Sequence, residues 1–159
     1  MIRYTALLLA LALSVTVVAQ DRDTQEINRY VLTETALGKY ANAMQKLQLL
    51  ADQVASCEDE DSDGANSLNA LVAQLDAAPA VKAAIQSAGL TTREWAVFTF
   101  AMAQTGLAVW MLDQPGGELP AGVSTANVDF YRKHRAAIEK IKPLEENCDA
   151  ADGEPEYVE

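Results

Sequence analysis

Three groups of residues in this 159-residue chain have types and spacings that could carry chemistry. Asp59, Asp61 and Asp63, followed by Gly64, match the opening of an EF-hand loop. In such a loop alternate carboxylates ligate calcium and the glycine makes the turn. The match stops there: the twelfth position, which should supply a bidentate Glu, is Ala70, and the eighth, ordinarily apolar, is Asn66. A weak divalent-cation site in the acidic loop 58–63, completed by Glu145, Glu146 or Asp149, is one reading, and a solvated acidic loop is the other. His134 is the only histidine and stands four residues from both Phe130 and Ile138. With Met44, on the apolar face of an earlier helix, it could form the axial pair of a haem bundle. The alternative is a histidine at the edge of the core and a methionine inside it. Cys57 and Cys148 are the only cysteines and lack the spacing of a metal site or a Cys-x-x-Cys redox pair. In an oxidising compartment they read as one disulfide, worth about 4–5 kcal/mol for so long a loop.

These residues leave little room for catalysis. Zinc hydrolysis generally needs two or three His or Cys ligands, more than one histidine and a bridged cysteine pair supply. No Gly-x-Ser-x-Gly elbow occurs, and Gly116-Gly117 is followed by Glu118 and Leu119, not by the Lys-Ser/Thr of a phosphate loop. Acids are too numerous for any carboxylate pair to be informative. No enzyme, catalytic residue or cofactor is expected. The formal net charge of −11 opposes binding to nucleic acid or anionic lipid, which requires clustered Lys and Arg. It suits a soluble surface, a cation or a basic partner.

The compartment is read from residues 1–19. Arg3 precedes an uncharged apolar run from Ala6 to Val18, and Val17-Val18-Ala19 places small residues where signal peptidase requires them. The run is too short for a membrane span. The expected product begins at Gln20, carries no lipid-anchoring cysteine there, and is secreted or periplasmic. Residues 20–148 are expected to form one domain, and residues 149–159 an acidic, proline-containing tail, expected to be disordered.

The elements that must position these groups are helical. Thr33 can cap a helix over 34–55, with Leu37, Tyr40, Met44, Leu47 and Val54 at spacings of three and four. Ser67 caps a short helix to Leu75, and Pro79 opens a second short one that Gly89 stops. Thr91 and Glu94 form a capping box before the uncharged stretch Trp95–Leu112. A helix apolar all round is membranous or surrounded by others, and the neighbours available favour a buried central helix at 92–112. Its aromatics, with Tyr131, read as packing before they read as a ligand pocket. Ser124 caps a last helix over 125–141, ended by Pro143. The pattern of residues 20–33 fits either an extended lead-in or a helix. The expected fold is all-α: a compact bundle of about five helices, two of them short. In an up-down order the first and last of these end together, each just ahead of one cysteine.

Gly89-Leu90-Thr91-Thr92-Arg93-Glu94-Trp95, with Leu119-Pro120-Ala121-Gly122-Val123-Ser124 and Asn127-Val128-Asp129-Phe130, resembles a group of small secreted bacterial proteins of uncharacterised function. The resemblance covers residues 33–141. It implies an exported bacterial helical domain and assigns no site residues. The expected function is therefore non-catalytic binding of a protein partner or small ligand, with cation binding and haem binding as the alternatives.

Overall fold

A computed structural model describes residues 14–50 and 67–144. Asp59, Asp61 and Asp63 of the expected acidic loop, both cysteines, Glu145 and Glu146, residues 149–159 and residues 1–13 of the expected signal peptide lie outside them. The described chain forms six helices: α1 (Ser14–Arg29), α2 (Glu34–Gln48), α3 (Leu68–Ala77), α4 (Pro79–Ser87), α5 (Thr92–Leu112) and α6 (Thr125–Ile138). No strand occurs among the described residues.

Local chemistry places most helix starts. The hydroxyls of Thr33, Ser67, Thr91 and Ser124 each accept a hydrogen bond from the backbone N–H three residues on, supplying a partner that the first turn lacks. Pro79 opens α4, where its missing N–H is not needed. Gly89, at φ +84°, ends that helix in the left-handed conformation that glycine adopts without strain. At Thr91 the capping box is complete, since the Glu94 carboxylate accepts from both the N–H and the hydroxyl of Thr91. Those bonds hold the Glu94 carboxyl below its ordinary pKa. The resulting stability is present above the unfolded-state pKa and lost as pH falls through the folded one. Thr91→Ala is expected to cost about 1 kcal/mol in urea unfolding at pH 7. The difference should shrink under acid. An unchanged midpoint would show that packing alone sets the start of α5.

The core has two parts. In the larger, Ala43, Met44 and Leu47 of α2 meet Val81, Ala84 and Ile85 of α4, Leu68 of α3, and Trp95, Ala96 and Val97 of α5. In the smaller, Leu32 and Leu37 meet Phe98 and Ala101. Tyr40 joins them, lying 4.7 Å from Phe98 and 5.8 Å from Trp95, ring centre to ring centre. Burial raises its phenol pKa, with a hydrogen bond to Thr99 opposing.

One open reading is resolved and three expectations need correction. Residues 20–29 are helical, as part of α1, and the chain leaves the helix only at Tyr30–Thr33. The first long helix stops at Gln48 rather than 55; Leu49 is its cap, and Leu50 turns back to the Leu47 carbonyl. Leu49 is exposed at that cap, and the tighter turn brings Leu50 onto the core. The last helix stops at Ile138 rather than 141, since Ile141 bonds the Ile138 carbonyl in a tighter turn that carries it into the core. Finally, the central helix is buried over its first half and only on one side beyond it. α2, α3 and α4 surround Trp95 to Phe98, whereas α6 is the main cover further along.

The shared end of the bundle is observed. The Gln48 side-chain amide donates to the Lys142 carbonyl at 3.0 Å, and Leu50 and Leu144 pack on the same cluster. The two chain segments that lead to Cys57 and Cys148 therefore leave the bundle together.

Candidate functional site

The uncovered half of α5 is the most distinctive surface among the described residues. Phe100, Leu107, Trp110 and Met111 are exposed, Leu107 by 57 % and Trp110 by 61 %. Their spacing sets them along one side of the helix, while Thr105, Ala108 and Val109 are buried on the other. Packing accounts for the Trp95 and Phe98 aromatics, but not for Phe100 and Trp110.

α6 packs along the flank of the stripe, where Gly106, four residues before Trp110, lets it approach closely. A Cβ at Gly106 would lie 3.1–3.2 Å from the Tyr131 ring and hydroxyl, tighter than ordinary contact. Within α5, Thr99 and Thr105 return their hydroxyls to the carbonyls of Trp95 and Ala101. These polar groups are thus satisfied inside the helix and need nothing from its neighbours.

The stripe ends on charge. Asp113 caps α5 and stands three residues beyond Trp110, on the same side. An acid at the negative end of a helix dipole is unfavourable by itself. Two arginines offset it: Arg132 reaches one carboxylate oxygen at 2.8 Å and Arg135 the other at 3.4 Å. Within residues 132–142, Arg132, Lys133, Arg135, Lys140 and Lys142 stand against one acid, Glu139, in a chain whose net charge is −11. An apolar stripe that includes a tryptophan thus adjoins the most basic stretch of an acidic protein.

A second polar constellation fixes α1. Arg93 donates through Nε to Glu26 at 3.0 Å and through Nη1 to Asn69 at 2.8 Å, and lies 3.8 Å from Asp23. One guanidinium thereby links α1, α3 and α5. The hydrogen bond to Glu26 raises its pKa, against desolvation. Asp23 is 6 % exposed, and its Oδ2 has no hydrogen-bond partner among the described residues. On α3, Asp76 pairs with Lys82 and accepts from Thr92, which together hold its carboxyl below the usual range. Arg22, Gln25, Glu26, Arg29 and Tyr30 line an open groove of about 470 Å³. Arg93→Ala should leave the buried Asp23 carboxylate without its cation and loosen α1. Limited proteolysis is expected to cut near residues 22–30 in this variant first, and adding Asp23→Asn should restore resistance. Equal cleavage of wild type and Arg93→Ala would show that apolar contacts alone hold α1.

The haem pair is not brought into one environment. Met44 is buried in the larger cluster, whereas His134 stacks on Phe130 at 4.3 Å, and Phe130 packs on the smaller cluster. Among the described residues no group of three or more His, Cys, Asp or Glu side chains is placed to hold a metal. Sequence reasoning missed the role of Arg93 and the exposure of Trp110. The only hint of the second was Asp113, a charge placed directly after the uncharged stretch. Comparison with protein-family models, with curated proteins and with solved structures found no match.

Proposed function

We propose that this is an exported, non-catalytic helical protein that binds a protein partner through the α5–α6 face. The observation that carries the reading is the exposed stripe Leu107, Trp110 and Met111 beside Arg132 and Arg135. Tryptophan and arginine dominate the energetics of protein interfaces: the first covers much area with few rotamers to lose, and the second adds directed hydrogen bonds from a planar fork. The matching partner surface is an acidic segment that presents an aromatic or aliphatic tip. Native mass spectrometry of protein purified from its own source tests this. A partner mass is expected on the wild type and absent from Trp110→Ser, with Arg22→Ala unaffected. A partner retained by Trp110→Ser would overturn the reading. A bound calcium ion or a haem absorbance in the same sample would favour the alternatives instead.

Export and the disulfide belong to the same reading. Cleavage after Ala19 predicts a product starting at Gln20, and recovery of an intact Met1 chain outside the cytoplasm would sink it. The bridge between Cys57 and Cys148 is supported by the common exit of the chain at Leu50 and Leu144. Cys57 follows Leu50 by seven positions and Cys148 follows Leu144 by four. Two titratable thiols in denatured, unreduced protein would overturn it.

A further inference from the structure

We propose that the chain's own residues 154–159, Glu154-Pro155-Glu156-Tyr157-Val158-Glu159, occupy the α5–α6 face when no partner is bound. This rests on reading that face as a docking surface and adds its regulation. Outside the described residues, this is the stretch in which an aromatic and an aliphatic side chain, Tyr157 and Val158, are framed by acids on both sides. The apolar run of residues 6–18 has no acids, and the acidic run 58–63 has no apolar side chain. The tail thus carries the chemistry the face asks for.

Charge gives the tail a direction. Residues 145–159 contain Glu145, Glu146, Asp149, Asp152, Glu154, Glu156 and Glu159 and no Lys or Arg. Among the described residues eleven Lys and Arg stand against ten Asp and Glu, and five of those eleven cations fall within 132–142. The stretch 132–142 attracts it, and within that stretch Arg132 and Arg135, paired with Asp113, stand at the end of the apolar stripe. Reach is sufficient. Leu144 packs on the cluster that contains Trp95, and fifteen helical residues separate Trp95 from Trp110, about 22 Å. The nine residues from Cys148 to Tyr157 extend to about 30 Å, so the tail reaches the face even with Cys148 tethered.

A tail held by one chain is present at an effective concentration in the millimolar range, so even a weak contact keeps the face about half covered. A partner with the same chemistry then binds only by displacing it.

Acrylamide quenching of tryptophan fluorescence tests this, because Trp95 is buried and Trp110 is the accessible indole. The protein starting at Gln20 is compared with the same chain ending at Asp149, which keeps both cysteines. Removing the tail is expected to raise the quenching constant about twofold in low salt, the change that uncovering a half-covered indole gives. The difference should vanish in 1 M salt, where the Debye length is about 3 Å. It should also vanish in a Trp110→Phe background. A synthetic peptide of residues 145–159 added to the shortened chain should restore the lower constant. Equal quenching of the two chains in low salt would overturn the inference. So would a difference that grows with protein concentration, which would place the tail on a second copy. Either result leaves the docking reading to be judged by the partner mass and its loss in Trp110→Ser.

Discussion

Phe98→Ala is expected to destabilise the protein by about 3–5 kcal/mol, the range for removing a fully buried aromatic ring. The ring has no solvent exposure and sits between the two parts of the core. Tyr40 lies tilted against it at 4.7 Å, and Tyr30 meets it edge-on at 6.1 Å. Tyr40 also stacks on Trp95, so the loss at one position loosens α1, α2 and α5 together. A domain of this size has about 5–15 kcal/mol in all, so the variant should populate unfolded chain in water or at low urea. Phe100→Ala, two residues along the same helix, is the control: its ring is partly exposed and should cost less than about 1 kcal/mol. Urea unfolding of the two variants decides the matter. Similar midpoints would mean that the core can collapse around the missing ring.

The contrast between Phe98 and Phe100 also shows what a sequence can reveal here. Local signals were legible. The caps at Thr33, Ser67, Thr91 and Ser124, the proline at α4 and the stop at Gly89 each depend on residues a few positions away. Features that depend on distant partners were not legible. Asp23 reads as a polar residue in a lead-in, and only Arg93 makes it a buried member of a helix. Phe100, Leu107 and Trp110 read as core because the sequence supplies enough apolar helices to cover them. Coverage depends on where those helices lie, and α2, α3 and α4 are drawn to the first half of α5 by Trp95, Ala96 and Val97. For the site the same limit applied: hydropathy identified the residues of the stripe and assigned them to the wrong side of the surface.

Asn127→Ala should be the costliest polar substitution among the described residues, at about 2–4 kcal/mol, since it leaves two backbone groups without partners. Asn127 is 4 % exposed in the first turn of α6. Its side-chain amide donates to the Tyr30 carbonyl at 2.8 Å, and its carbonyl oxygen accepts from the Leu32 N–H at 3.0 Å. Residues 30–33 join α1 to α2 outside any helix, so the Tyr30 carbonyl and the Leu32 N–H have no helical ladder to satisfy them. One amide side chain provides both a donor and an acceptor at the right separation, which neither Asp nor Leu can do. Asn127→Asp keeps the acceptor for Leu32 but turns a buried carboxylate oxygen toward the Tyr30 carbonyl, so it should not recover the stability lost in alanine. Hydrogen exchange makes the test local. The Leu32 amide is expected to lose its protection in Asn127→Ala and retain it in Asn127→Asp. If Leu32 stays protected in the alanine variant, water has replaced the side chain and the latch is not needed. If protection is lost as expected, the last helix holds the joint between the first two. Truncation before Ser124 should then release α1 as well as expose α5.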